Sequence, residues 1–338
     1  MTRLSSSLSP TNPATAAVAA ELSPIPRRLG LRGMGRMYLE LAKARLSGMV
    51  VVTAAVGYLV GARGRVDGWT LLWLVVGTSL AAGCANAMNQ VLEAERDAKM
   101  GRTARRPLPS GRMGLIHAAA AAVLAGGAGM TLLAAMINGL TAALALLTIA
   151  VYLLIYTPLK VRSTLNTLAG AVVGAIPPMM GWAAANNSLE AGAWALAALL
   201  FVWQVPHFLA LAWLFRDDYE RGGYRMLPLV DPTGVLTCRT VLMWSAALVP
   251  VALTVMLAGV SGYVYALCSM ALGGWLLTLA WGMHRDRSHA SARRMFLATV
   301  MYLPILMAAM VLDDPGQRYE PGRPSLADTA VVPNVTDR

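Results

Sequence analysis

Nine apolar segments of about 17–25 residues constrain what this chain can fold into. Each is close to the length that an α-helix needs to cross the hydrocarbon core of a bilayer. Strand-like alternation is absent, and an open sheet cannot cross lipid because its edge groups would lack hydrogen-bond partners. The sequence therefore predicts an all-α polytopic membrane protein with spans at 45–63, 68–90, 114–134, 137–157, 164–185, 192–215, 239–259, 262–283 and 295–312.

Basic residues are divided unequally between the loops on the two sides of these spans. Of 28 Lys and Arg, 23 lie on the side of the amino terminus and five on the other side. Because cytoplasmic loops carry the excess of basic residues, we expect a cytoplasmic amino terminus and, with nine spans, a carboxyl terminus outside. This topology accounts for most of the net charge of +11 without nucleic-acid binding.

Residues 37–312 are predicted to form one transmembrane domain, flanked by flexible tails at 1–36 and 313–338. The first tail has no basic start followed by an apolar stretch, which argues against a cleaved signal peptide. The cytoplasmic (inner) membrane is therefore the expected location. The tail does contain Arg and Ser with few acids, so a transit peptide and the mitochondrial inner membrane are the second alternative.

A first acidic motif follows the second span. Asn89, Glu93 and Asp97 are spaced at i, i+4 and i+8, which places their side chains on one helix face if the helix continues through them. Such a ladder of oxygen ligands suits Mg²⁺, and the Arg102 and Arg106 that follow suit phosphate. The alternative is a solvated helix at the membrane surface, stabilised by local ion pairs.

A second acidic motif follows the sixth span, on the same side by the charge count. Asp217 and Asp218 stand at the end of the apolar run, and Arg221 and Arg225 come after them. Two motifs that place acids before bases could face each other across a cavity and hold one metal-bound diphosphate. The alternative is a chance repetition of ordinary charged loops.

A short loop between the two motifs, on the same side, carries Lys160 and Arg162. These cations could bind the same anion. They could equally be plain anchors at the cytoplasmic surface of the membrane.

The first motif also resembles a known family. The stretch NQVLEAERDAKMGRTARRPL (89–108) is similar to the first motif of the UbiA prenyltransferase superfamily, and its Met100 with RTARRPL resembles the haem O synthase branch. Supporting stretches are YTPLKVRSTLNTLAGAVVGAIPPMMGW, WQVPHFLALAW and RDDYERGGYRMLP. The likeness covers roughly residues 37–312. Gln90 and Glu93 replace the common Asp, and the second motif ends in Gly-Gly, so the number of Mg²⁺ ions stays open.

The resemblance implies nine helices around a central cavity open to lipid, with both motifs at its cytoplasmic end. It implies that farnesyl diphosphate, bound through Mg²⁺, ionises and alkylates a vinyl group of haem b, and that water then adds to give haem O. A hand-off of the product to a haem A synthase or a terminal oxidase assembly is a further expectation. Carried onto this chain, the metal ligands are Asn89, Glu93, Asp97, Asp217 and Asp218, with Asp97 and Asp218 catalytic, and the diphosphate-binding residues are Arg102, Arg106, Lys160 and Arg162.

His207 lies inside the sixth span, directly after Pro206. An ionisable residue within a span is a functional candidate, and imidazole is a common ligand of haem iron. We expect His207 to face the cavity and contact the haem. The alternative is a hydrogen bond between helices to a Ser, Thr or carbonyl group.

Two other functions are considered. A prenyltransferase of the same superfamily could act on a quinone precursor or a chlorophyllide, but Met100 with RTARRPL and the WQVPHF stretch disfavour it. A transporter of small solutes or ions would show ionisable groups near the membrane midplane in related halves. Nearly all acids here lie at one face, which favours chemistry on a diphosphate at the membrane surface.

Overall fold

The structure, a computed structural model, describes residues 30–315. The chain divides into two units, residues 1–39 and residues 40–338. Most of helix α1 (Leu31–Leu41) belongs to the first unit. The predicted tail is wrong for 31–36, which are helical because apolar residues recur there at helical spacing. The second tail, predicted to begin at 313, is wrong at Asp313, which is 2% exposed and accepts from the Tyr265 amide at 2.9 Å. Residues 1–29 and 316–338 lie outside the described residues.

Nine helices between residues 30 and 315 are long and apolar enough to cross a membrane, as predicted. They are α2 (Ala44–Gly61), α3 (Gly68–Asp97), α4 (Leu115–Met136), α5 (Gly139–Arg162), α6 (Asn166–Asn186), α7 (Ala191–Leu214), α10 (Val235–Leu257), α11 (Tyr263–Asp286) and α12 (His289–Leu312). Two short helices, α8 (Arg216–Arg221) and α9 (Leu227–Val230), lie between α7 and α10.

Two spans extend six or seven residues beyond their predicted bounds. Helix α3 continues past residue 90 to Asp97, because the intervening residues are good helix formers without Gly or Pro. Helix α12 begins at His289 rather than at 295, and the Ser288 hydroxyl caps it by accepting from the Ser291 amide at 3.1 Å. Because the first turn of α12 is polar, the length of the apolar segment does not show where the helix begins.

Packing divides the spans into two groups that meet where α6 contacts α7. One buried apolar core lies among α2–α6 and the other mainly among α7 and α10–α12. Helices α2 and α6 cross closely: a Cβ added to Gly181 would lie 1.9 Å from the Ala54 carbonyl oxygen, and one added to Gly57 would lie 2.2 Å from that of Pro178. Only glycine at these two positions allows α2 and α6 to approach this closely.

Candidate active site

The first acidic motif lies on a continuous helix and faces the protein interior. Asn89, Glu93 and Asp97 all belong to α3, and each residue is at most 5% exposed. The alternative of a solvated surface helix is therefore wrong for these three residues. Two carboxylates buried at this depth need close partners, because desolvation penalises an unpaired charge heavily.

A second polar column on α5 faces this motif. Tyr152, Tyr156 and Lys160 repeat the spacing of four residues, and a π-helical stretch, Val151–Tyr156, forms part of this segment. The two tyrosine rings stack with centroids 5.4 Å apart, and the Lys160 ammonium lies 4.7 Å from the centroid of Tyr156. Single π-helical turns inside α-helices are frequent at functional sites.

Hydrogen bonds connect the two columns at successive levels. The Asn89 amide donates to the Thr157 hydroxyl at 3.2 Å. One level further toward the charged end, the Lys160 ammonium donates to both Glu93 carboxylate oxygens at 2.8 and 2.9 Å. Because Glu93 and Lys160 are 67 residues apart in sequence, this ion pair fixes α3 against α5.

Lys43 joins the same site and was missed by the sequence analysis. Its ammonium donates to the Asn89 side-chain oxygen at 3.0 Å, and its backbone is left-handed, with φ of 48°. The Gln90 amide holds the preceding turn by donating to the Leu41 carbonyl at 2.6 Å. The sequence signal, one lysine directly before the first span, is indistinguishable from an ordinary cytoplasmic anchor.

The electrostatic environment of Lys43 is unusual. Burial, and then the positive charges of Arg106 and Lys160, lower its pKa from the ordinary 10.5 to about 7, while Glu93 and Asp97 act in the opposite direction. Near neutral pH, Lys43 is therefore protonated in only part of the molecules. An additional negative charge nearby would favour its protonated form.

Asp97 ends the ladder and is bound by Arg106. The Arg106 guanidinium donates to the Asp97 carboxylate at 2.7 Å, and the Thr103 hydroxyl donates to the Asp97 carbonyl at 2.7 Å. These bonds fold the loop after α3 back over the end of the helix. Arg102 is exposed, with its guanidinium carbon 5.2 Å from the centroid of Phe215.

The second acidic motif occupies the six-residue helix α8. Asp218 pairs with Arg221, three residues away, and its side chain is 14% exposed. Asp217 lies 3.5 Å from the Arg216 guanidinium, with a side chain that is 78% exposed. Among the described residues, neither aspartate forms an ion pair with a base distant in sequence, whereas Glu93 does.

The two motifs lie at the same end of the protein. Met100, next to the first motif, packs in one buried cluster with Tyr224 and Met226, which follow the second. The Arg225 amide donates to the Lys160 carbonyl at 2.7 Å. The Lys160 ammonium, which binds Glu93, also lies 5.9 Å from the centroid of the Tyr224 ring. Burial, and then the charges of Glu93 and Asp97, raise the pKa of the Tyr224 phenol. Both motifs therefore lie at one end of the helical bundle, the side on which the charge count had placed them.

An apolar cavity continues from the ladder into the helical bundle. Its volume is about 210 Å³, below the 300–1,000 Å³ typical of small-molecule sites, so it suits a narrow chain better than a macrocycle. Helices α2, α3, α5, α6 and α7 line it, and its polar lining residues are Thr78, Asn86, Thr148, Tyr152, Tyr156 and Gln204. The Tyr152 hydroxyl lies 3.5 Å from the Asn86 side-chain oxygen, one level below Asn89.

His207 does not line this cavity. Its Nδ1 lies 2.9 Å from the Thr299 hydroxyl on α12, which is the alternative considered above. Its ring stacks on Trp203, with centroids 5.0 Å apart, and also contacts Phe296. The expectation that His207 faces this cavity is wrong, because α7 turns Gln204 and Phe208 toward it instead. Its contact with haem stays a prediction.

No group of three or more His, Cys, Asp and Glu lies close enough to hold a metal ion within residues 30–315. Each predicted carboxylate ligand instead carries a basic partner. The buried contacts combine two acids, Glu93 and Asp97, with three bases, Lys43, Arg106 and Lys160. This excess of positive charge favours an anionic ligand.

Residues 30–315 place an acid and base ladder at the mouth of an apolar cavity among nine membrane-length helices, as expected of a membrane-embedded enzyme that acts on an anionic substrate with an apolar chain. Residues 50–303 match the UbiA prenyltransferase family, and the chain belongs to that family. It is 43% identical to "Protoheme IX farnesyltransferase" of Salinibacter ruber over 82% of this chain and 98% of that protein. It is 41% identical to the mitochondrial "Protoheme IX farnesyltransferase" of Arabidopsis thaliana over 85% of this chain and 68% of that protein.

Solved structures share the fold. A digeranylgeranylglyceryl phosphate synthase superposes with a TM-score of 0.71 at 15% identity, covering 84% of this chain and 99% of that one. A UbiA homologue from Archaeoglobus fulgidus, bound to DMAPP and Mg²⁺, superposes with a TM-score of 0.59 at 12% identity, covering 81% and 98%. The predicted fold class is thereby confirmed.

Proposed function

We propose that this protein transfers the farnesyl group of farnesyl diphosphate to a vinyl group of haem b and adds water, giving haem O and diphosphate. The observation that carries the proposal is the ladder of Glu93–Lys160 and Asp97–Arg106 pairs at the mouth of an apolar cavity. A charged mouth suits the diphosphate and an apolar interior suits the isoprenoid chain. Relatives of about 40% identity over most of the chain carry the farnesyltransferase name.

The donor set at the ladder fits Mg²⁺. Asn89, Glu93 and Asp97 offer oxygen atoms along one helix face, and Mg²⁺ prefers carboxylates combined with water and substrate phosphate oxygens. Asp218, with Asp217 beside it, would complete the set from the second motif. Mg²⁺ would withdraw negative charge from the departing diphosphate.

The basic residues have a matching role. Arg106 and Lys160 pair with the carboxylates of Asp97 and Glu93, and Lys43 donates to the side chain of Asn89 beside them. When a diphosphate with its metal enters, these bases can turn to the phosphate oxygens while the carboxylates turn to the metal. Arg102 and Arg162, both exposed, would add charge at the rim. Preorganised cations at the leaving group lower the barrier to ionisation.

The cavity protects the allylic cation that ionisation produces. Its walls are mostly apolar, and bulk water would otherwise trap the cation before it met the vinyl group. We assign the haem to the neighbourhood of α7, with His207 as its contact. The narrow cavity holds the isoprenoid chain, so the haem would enter from the lipid side and only its reacting vinyl group would need to reach the cavity mouth.

The location follows from the same chemistry. Both substrates partition into lipid, so a site at the inner rim of a multi-pass membrane protein receives each by lateral diffusion. We place the amino terminus in the cytoplasm, the carboxyl terminus outside, and the protein in the inner membrane. The product, equally insoluble in water, would pass to a haem A synthase or a terminal oxidase assembly.

The test is a product assay. Purified protein is incubated with haem b, farnesyl diphosphate and Mg²⁺, and the porphyrins are analysed by mass. Haem O is expected, and omission of Mg²⁺ or of farnesyl diphosphate should abolish it. Absence of haem O together with prenylation of an aromatic acid would replace haem b by a quinone precursor as the acceptor.

A further inference from the structure

Two polar side chains inside the apolar cavity lack hydrogen-bond partners. The Gln204 side-chain oxygen and the Thr78 hydroxyl are buried and have no partner among the described residues, and both residues line the cavity. Gln204 is 7% exposed and Thr78 is 1% exposed. A buried polar atom left unpaired is costly, so native proteins pair it with water, ligand or another group.

The position of Gln204 is fixed closely. A Cβ added to Gly174 would lie 1.8 Å from its side-chain nitrogen, so only glycine leaves room for the amide at this crossing of α6 and α7. One turn nearer the charged end, Phe208 and Tyr156 both approach Gly170. Gln204 thus lies about 6 Å deeper than the mouth of the cavity.

This depth matches the second half of the proposed reaction. A farnesyl chain whose diphosphate is held by the ladder would place its first carbon at the mouth, beside Tyr156. The bond from that carbon to the vinyl terminus leaves a cation on the carbon next to the porphyrin ring. Water must reach that carbon, although the cavity otherwise excludes water.

We propose that Gln204 holds the water molecule that adds to the porphyrin side chain. The amide oxygen accepts a hydrogen bond from this water molecule. This bond orients a lone pair of the water oxygen toward the cation. The water oxygen forms the new carbon–oxygen bond, and its surplus proton passes to the released diphosphate, the base that the reaction itself supplies. Gln204 is a positioning residue in this step and does not take the proton.

Without a held water, the cation has another outcome. It can lose a proton from the adjacent methylene group to diphosphate and form an alkene, whose mass is lower than that of haem O by one water molecule. The ratio of alcohol to alkene therefore reports on Gln204 separately from the rate of farnesyl transfer. The inference rests on the proposed function, but its readout differs from that of farnesyl transfer itself.

The experiment compares Gln204→Met, which keeps the volume but removes the amide, with the wild type and with Thr78→Val as the matched control. Thr78 is a second unpaired polar group of the same cavity, about 12 Å deeper than Asn86 along α3. Products from haem b and farnesyl diphosphate are resolved by mass at equal extents of conversion.

Gln204→Met should raise the share of alkene at least about tenfold, the effect of one hydrogen bond on a partition. Thr78→Val should leave the share unchanged. An unchanged product ratio in Gln204→Met, or an equal rise in Thr78→Val, would overturn the role of Gln204 while farnesyl transfer stands. Failure of the wild type to form either farnesylated porphyrin would instead remove the proposed function.

Discussion

The two acidic motifs look alike in sequence but differ in the structure. The first lies on a 30-residue helix, and its Glu93 binds Lys160, a base 67 residues away in sequence. The second lies on a six-residue helix, and its aspartates bind the adjacent Arg216 and the nearby Arg221. We therefore expect the first motif to fix the position of the ligand and the second motif, which is held only by local pairs, to complete the ligand shell.

The largest expected difference is in stability. Glu93→Gln should lower the free energy of unfolding in detergent by roughly 3–5 kcal/mol, because Lys160 would remain buried without its counter-charge. Glu40→Gln is the control, since its pair with Arg112 has the same 2.8 Å distance but is exposed, and should cost at most about 1 kcal/mol. Equal losses of unfolding free energy in the two variants would show that the Glu93–Lys160 pair does not act as a buried ion pair.

Turnover should respond to both motifs alike. Asp97→Asn and Asp218→Asn should each reduce turnover by at least about 10²-fold, as loss of one charge-stabilising group commonly does. Only Asp97→Asn should also lower the melting temperature, because Asp97 is 2% exposed beside Arg106, whereas the Arg221 that pairs with Asp218 is 58% exposed. Full activity in either variant would remove that aspartate from the site.

The next effect is on pH dependence. With a pKa of about 7, Lys43 is charged below neutral pH and loses its attraction for diphosphate as the pH rises. The KM for farnesyl diphosphate should therefore increase by up to about tenfold per pH unit above 7. Lys43→Arg keeps the charge at all these pH values, and its KM should stay level. A wild-type KM that is flat between pH 6 and about 9 would contradict a role for this proton.

The smallest effect is expected at the rim. Arg162 is exposed, so Arg162→Gln should raise the KM for farnesyl diphosphate by less than about fivefold. Arg106→Gln should raise it by more than about tenfold, because the Arg106 side chain is only 25% exposed and pairs with the buried Asp97. The reverse order of these two KM values would place the anion outside the ladder.

The spans and the first ladder could be predicted from the sequence because they depend on local spacing. Apolar length identifies a membrane helix, and the i, i+4, i+8 spacing of Asn89, Glu93 and Asp97 places them on one face wherever the helix packs. The same rule applied to Tyr152, Tyr156 and Lys160 would have found the facing column. It was overlooked because tyrosines in an apolar run resemble ordinary packing residues.

Long-range partners could not be predicted. Nothing in the sequence near Lys43 indicates that its ammonium reaches Asn89, 46 residues away. The expected cavity contact of His207 failed for a similar reason, since the rotation of α7 is set by its packing against α6 and α12. Gln204 faces the cavity, but its immediate neighbours in the helix face other directions. Because α7 is apolar on all sides, its hydrophobic periodicity does not show which face points to the cavity.

The most direct test is a structure of the protein with a non-ionisable farnesyl thiodiphosphate and Mn²⁺, in which anomalous scattering locates the metal. It shows whether the first and second acidic motifs bind one ligand. The metal is expected among Asn89, Glu93 and Asp97, with the diphosphate reaching Asp218 and the chain in the apolar cavity. A diphosphate bound away from the ladder, or touching only one of the two motifs, would contradict a shared site.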